Sequence, residues 1–290
     1  MRLLFTLLSL LLLAEHSMAY PRAENLAQAG KPAVLAQIYF SPSFTAAPPV
    51  IIVPDLSRGA SFYAAFANSL SEAGFFVILL QHTTGDSKPT SFLEANADAS
   101  LWKSWHEAGT VALDWLDTQT RDSTTYSQFI EKTKVGVIGH GFGGYIAASL
   151  CGFKKSAGIF SSIGKSDDRV GTVVLFGTPT GLVRSPNQNS FSGVTIPLLA
   201  FFGEIDHVGG FKVTSANMRG PVNASRGTGY FGFLPGSDGA DCFNDRNPRF
   251  QIVTWLTQAF LFANLTGDAD WQRQIDGIGF SPLLQFSPKQ

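Results

Sequence analysis

A glycine-dense corner raises the first chemical question in this sequence. Val135-Gly136-Val137-Ile138 reads as a buried strand and Tyr145-Ile146-Ala147-Ala148 as a helix, with Gly139-His140-Gly141-Phe142-Gly143-Gly144 between them. A tight strand-to-helix turn of this kind can lift one side chain clear of a sheet as a nucleophile, at positive φ and under strain of about 1–3 kcal/mol. The apex residue here is Gly141, which has no side-chain oxygen to attack a carbonyl. Glycine adopts the strained conformation freely, so the turn can persist without the chemistry. A phosphate-binding loop is the competing reading. Such a loop follows the first strand of its domain and needs an acidic partner after the next, whereas this corner follows about the fourth strand.

Partners for acid–base work are sparse. Asp206 lies in the turn closing "IPLLAFFGEIDHV", and His207 adjoins it, although neighbours in a turn usually point apart. His82 belongs to a strand end, His106 to an amphipathic helix and His140 to the corner itself; no histidine follows His207. Ser61 and Ser161-Ser162 fall in loops, and Cys151 lies too far along its helix to replace Gly141. Neither an attacking oxygen nor a proton shuttle is expected beside residue 141. The histidines are scattered and no C-x-x-C occurs, so no metal and no cofactor are expected. Cys151 and Cys242 could pair in an oxidising compartment, but an arbitrary pair of cysteines is usually apart in space. Asn223-Ala224-Ser225 and Asn264-Leu265-Thr266 are glycosylation acceptors.

Alternating short apolar runs and amphipathic stretches must position these residues. Strands are predicted at 34–40, 50–53, 75–80, 135–138, 172–176, 197–202 and 230–234, several apolar on every residue and so covered on both faces. Helical spacing places Phe62, Phe66 and Leu70 on one face, and Leu101, Trp105, Ala108, Ala112 and Trp115 on another. A last helix runs through "RFQIVTWLTQAFLFANLTG" and is closed by Gly267. The order implies an α/β fold with a mostly parallel, doubly wound sheet flanked by helices. Segments 154–168 and 207–229 read as loops on the ligand side, and 268–290 as an irregular tail. One domain is expected over 20–290, with its core at about 33–268.

On these residues the chain resembles the dienelactone-hydrolase, chlorophyllase and platelet-activating-factor acetylhydrolase branch of the α/β-hydrolases. The likeness rests on "FYAAFANSLSEAGFFVILLQH" at 62–82, the corner at 139–144 against G-H-S-x-G-G, "YFGFLPGSDGADCFND" at 230–245 and the closing helix, covering roughly 48–268. It implies an α/β-hydrolase fold with its nucleophile position at Gly141, its histidine position at Gly239 (or at Asp241 with the register shifted) and a remnant acid at Asp206. In chlorophyllases the acid would fall at Thr178. The family's H-G oxyanion loop corresponds to Asp55-Leu56. Backbone N–H groups of Ser57 and Phe142 could still form an oxyanion hole, because that function needs no particular side chain. Leu56, His140 and His207 are the expected pocket residues.

Composition sets the class of partner. Charged residues make up 15% of the chain, below the ~25% usual for soluble domains. Its 25 phenylalanines suggest a large core, with an apolar pocket or patch besides. A net charge of −1 gives no electrostatic reason to expect nucleic acid. Arg2, the apolar run Leu3–Ala14 and Ser17-Met18-Ala19 have the form of a signal peptide over 1–19, too short for the ~20 residues of a spanning helix. No later stretch is apolar enough to cross a bilayer. Export or routing through the endomembrane system follows, with an organelle reached by that route, such as a complex plastid, as the alternative. The functional expectation is an inactive relative of ester hydrolases that binds an apolar ester, lipid or pigment-like ligand or a protein partner. An active hydrolase with an unusual site, working through Asp206 or His207, and a ligand-free structural domain are the alternatives.

Overall fold

Residue runs that are apolar throughout become strands covered on both sides. The computed structural model describes residues 21–27, 30–31, 33–81, 92–122, 124–154, 166–182, 185–208, 211–278 and 281–289. The expected leader at 1–19, His82, Ser161-Ser162 and most of the loop at 154–168 lie outside the described residues. In chain order the elements are β1 (Arg22–Leu26), β2 (Val34–Tyr39), β3 (Pro49–Val53), α1 (Ala64–Glu72), β4 (Phe76–Leu80), α2 (Phe92–Ala97), α3 (Ala99–Arg121), β5 (Val135–His140) and α4 (Phe142–Ser149). They continue with β6 (Val170–Phe176), β7 (Leu198–Gly203), β8 (His207–Val208), β9 (Phe211–Lys212), α5 (Ser215–Ala224), β10 (Gly229–Leu234), α6 (Pro248–Leu265), α7 (Ala269–Asp276) and β11 (Gln285–Pro288). A 3₁₀ turn at Ala60–Tyr63 leads into α1.

Nine strands form one sheet in the order β1-β2-β4-β3-β5-β6-β7-β10-β11. The strands from β4 through β10 pair in parallel. β1, β2 and β11 join them antiparallel. The seven expected strands are all present within two residues of their predicted ends.

Alternate residues of each central strand feed two cores. On one face Ile51, Val53, Val137 and Leu175 pack with Trp102, Val111, Phe142, Tyr145 and Met218 from α3, α4 and α5. On the other, Val50, Ile52, Ile138 and Phe176 pack with Phe66 and Leu70 of α1 and Leu256 and Phe260 of α6. Each fully buried side chain of this size contributes roughly 1.5–3 kcal/mol. The sheet is thus wound on both faces. Connections leave β3 toward one face and β5 toward the other, so the carboxyl ends of these neighbours splay apart. In an open α/β sheet that crevice is where ligands bind.

Four expectations need correction. The tail is not irregular: α7 and β11 occupy it, and Phe286 stacks on Tyr230 at 5.4 Å. β1 extends the core ahead of residue 33 and makes the glycine corner follow the fifth strand. The 207–229 segment holds a hairpin and α5, whose Thr214–Asn217 capping box offsets the breakers Gly220 and Pro221 inside it. Trp102, fully buried, anchors α3, a role the four-and-three spacing through Leu101 did not give it. Among the described residues no helix is long and apolar enough to cross a membrane.

Candidate functional site

The corner after β5 is a strained turn at the crevice. Gly141 has φ 54 and ψ −119 and caps α4. Its N–H donates to the Phe176 carbonyl at 2.8 Å, which ties the turn to β6. The flanking glycines are set by close approach: a Cβ on Gly139 would lie 2.4 Å from the Gly143 carbonyl oxygen.

Asp55, at the end of β3, reaches across to this turn. Its Oδ1 accepts the Phe142 N–H at 2.9 Å. Its Oδ2 accepts the Ser57 hydroxyl at 2.6 Å and the Ser57 N–H at 3.3 Å. The two backbone amides named as oxyanion donors therefore converge, and they converge on a carboxylate of the same chain. Burial opposes ionisation of Asp55, but His140, the Ser57 hydroxyl and the two amides outweigh it and hold the carboxyl below its ordinary range. Burial likewise holds the His140 imidazole below its ordinary value, against the pull of Asp55 and Asp238. Asp55 is therefore ionised at pH 7.

No imidazole paired with a hydroxyl was expected here, yet one is present. His140 Nδ1 lies 2.8 Å from Tyr63 Oη, and the same oxygen accepts the Asp55 N–H at 2.8 Å. Tyr63 is fully buried, and burial followed by the nearby Asp55 charge pushes its phenol well above the ordinary value. It is a neutral strut, sealed from solvent, and not a nucleophile. His140 is held among Phe62, Phe243 and Tyr63, with the Phe243 ring 5.0 Å away.

The expected remnant acid is Asp206. Asp206 is buried, and its carboxylate accepts the Gly203 N–H at 2.9 Å and the Gly239 N–H at 2.6 Å. The positions matched to acid and histidine are thus direct neighbours: a Cβ on Gly239 would stand 3.1 Å from Asp206 Oδ2. Burial raises Asp206 to about 7; the two amides lower it in part and the adjoining Asp238 raises it again. A Cβ on Gly177 would lie 3.7 Å from His140 Nε2 and 3.9 Å from Asp206 Oδ2, so both side chains border one small space.

The other expected residues scatter. His207 is exposed on the β8–β9 hairpin, its Nδ1 2.7 Å from the Ile205 carbonyl. Leu56 packs half-buried against the core of the α3 face. Thr178 Oγ1 bonds to the carbonyls of Phe176 and Gly141. Cys151 and Cys242 are both free thiols and buried. Asn223 is exposed at the end of α5, while Asn264 donates its amide to the Phe260 carbonyl within α6.

A Ser–His contact lies elsewhere, between α3 and α4. Ser149 Oγ is 2.8 Å from His106 Nδ1, but the serine is fully buried and donates its proton to the Ile146 carbonyl at 2.7 Å. Burial lowers the His106 imidazole despite Glu107 and Asp167 nearby. Asp167 itself is engaged by Arg169.

A cleft of about 570 Å³ is lined by Arg58, Phe62, Asp238, Asp241, Phe243 and Asp245 among others, and Phe62 and Phe243 join it to the packing around His140. Its rim is acidic, while the abundant phenylalanine is mostly committed to the cores. Phe62 carries the Arg58 guanidinium 4.6 Å above its ring. A cavity of about 60 Å³ under α3, lined by Val53, Leu80, Trp105 and Val111, is too small for an ester or lipid. Among the described residues no cluster of His, Cys, Asp or Glu is arranged to hold a metal ion.

Sequence reasoning placed Asp55 only as an oxyanion-loop match, without a role for its carboxylate, and missed Tyr63 and Phe243. The spacing Asp55-x-Ser57 signals a local turn closed by the aspartate's own side chain. Nothing local signals that the same carboxylate also meets Phe142, 87 residues on. No protein-family model matches the chain, and no curated protein matches it.

Proposed function

We propose that this is a catalytically inactive protein of α/β-hydrolase type, a relative in form of the dienelactone-hydrolase and chlorophyllase branch, whose cleft holds a ligand without turning it over. The α/β sheet, the glycine at the turn apex and the neighbouring Asp206 and Gly239 all support this reading. One observation carries it: the Asp55 carboxylate accepts both amides that would stabilise a tetrahedral oxyanion. Acyl transfer needs donors aimed at developing negative charge, and removing even one such donor costs about 10²–10³ in rate. Here a resident negative charge holds both, and no serine or cysteine stands at the apex.

The aromatic walls of Phe62 and Phe243 favour the apolar body of a small ester, lipid or pigment-like molecule, or an apolar side chain of a protein partner, with polar groups at the acidic rim. Passage through the secretory route is part of the proposal and rests on residues 1–19; a mature protein beginning at Tyr20 is its expected signature. The test of function has two arms. Wild-type protein is incubated with p-nitrophenyl acetate and with a fluorophosphonate probe, and no turnover and no labelled serine are expected. Steady ester hydrolysis that is lost on Asp206→Ala would overturn the inactive reading. Protein purified from its natural source should carry a co-purifying small molecule or partner by native mass spectrometry.

A further inference from the structure

We propose that Asp55 is the built-in occupant of an anion hole, excluding carboxylate ligands from the turn. The inference rests on the reading above for the location of the site. Two independent features support it. The first is the donor set: amides from two segments, Phe142 at the start of α4 and Ser57 in the loop after β3, both meet one planar carboxylate, with the Ser57 hydroxyl as a third donor. Phe142 lies in the first turn of a helix, where the N–H has no partner within the helix and the backbone dipole favours negative charge. The second is space. A Cβ on Gly141 would lie 2.3 Å from Asp55 Oδ1 and 2.7 Å from its Cγ, so the carboxylate fills the volume an apex side chain would need.

The occupant is held from behind as well. The Asp55 N–H is tied to Tyr63, which is locked against His140, so the backbone that carries the carboxylate cannot swing away without breaking a buried pair. A ligand carboxylate arriving from solution meets donors already satisfied and a like charge. The turn therefore has no free donor for a second carboxylate, and ligands of that class are excluded from it.

The hole becomes a carboxylate site when the occupant is removed. Wild-type, Asp55→Ala and Asp55→Ser proteins are titrated with sodium acetate against sodium chloride at equal ionic strength, following the Tm and the Phe142 amide resonance. The Asp55→Ala protein should show a saturable rise in Tm and a moving Phe142 resonance, with acetate bound at least about tenfold more tightly than by wild type. Asp55→Ser opens the same space and replaces the alanine variant if that fails to fold. Equal acetate responses in wild type and variants would overturn the proposal, as would a Phe142 resonance that moves with acetate in the wild type alone. Ester turnover by the wild type would instead overturn the inactive reading and leave the acetate result intact, so the two failures are distinguishable.

Discussion

Asp55 and residue 141 share one space: the Asp55 Oδ1 atom stands 2.3 Å from the point a Cβ on Gly141 would occupy. Charge, hydrogen bonding and backbone strain all meet at that pair, and its consequences are measurable.

Gly141→Ser places a side chain at φ 54 and drives it into the carboxylate. The single variant should lose about 2–4 kcal/mol, and Asp55→Ala about 1–3 kcal/mol by stranding the Phe142 amide. In the double variant Asp55→Ala/Gly141→Ser the clash is gone, so its loss should fall short of the sum by at least about 1 kcal/mol. Urea unfolding of the four proteins closes the cycle. Additive losses would mean the two positions do not compete.

Tyr63 joins the turn to the sheet through one oxygen. Tyr63→Phe keeps the ring against Phe243 but strands the Asp55 amide and His140 Nδ1. A loss of about 1–3 kcal/mol is expected, the usual result of leaving buried polar groups unpaired. Denaturant midpoints at unchanged slope measure it, and a neutral substitution would show that water replaces the phenol.

Asp206 gives stability a pH dependence of unusual sign. Its folded value of about 7 exceeds the ~3.9 of an unfolded aspartate. The folded chain therefore keeps a proton that the unfolded chain releases. The contribution is complete below about pH 4 and is lost as pH rises through about 7. Asp206→Asn, neutral throughout, should flatten this part of the profile. Thermal unfolding from about pH 4 to about pH 8 compares the two proteins. A wild type that gains stability over that window relative to the variant would contradict the assignment.

The C-terminal strand guards an edge. β11 pairs with β10 from Tyr230↔Pro288 to Phe233↔Gln285. Truncation after Gly277 removes it and bares the backbone of β10, whose residues are nearly all buried. Such an edge recruits other strands. The truncated protein should associate in a concentration-dependent way by light scattering, while the full chain does not.

Much of this architecture was legible because it is written in local pattern. Runs such as Phe75–Leu80 have one solution in an α/β chain, and the glycines of 139–144 mark a close-packed turn whatever stands at its apex. The tail was illegible because β11 gains its order from a partner more than fifty positions away in the chain and shows little apolar alternation of its own. α5 was hidden by Gly220 and Pro221, residues that end helices in isolation and are tolerated here by packing against the sheet. The bare apex at Gly141 was readable, but the carboxylate beside it was not. An aspartate after a strand looks like any turn residue until the fold brings it to Phe142.

The pairing of Asp55 with Gly141 also couples what each position tolerates. A serine placed at the apex collides with the aspartate, and an aspartate removed alone strands the Phe142 amide it holds. Each change alone is disfavoured, so whichever comes first, the route to the double variant crosses one destabilised intermediate. The two residues therefore hold one another in place: a chain that carries both is penalised for changing either one first.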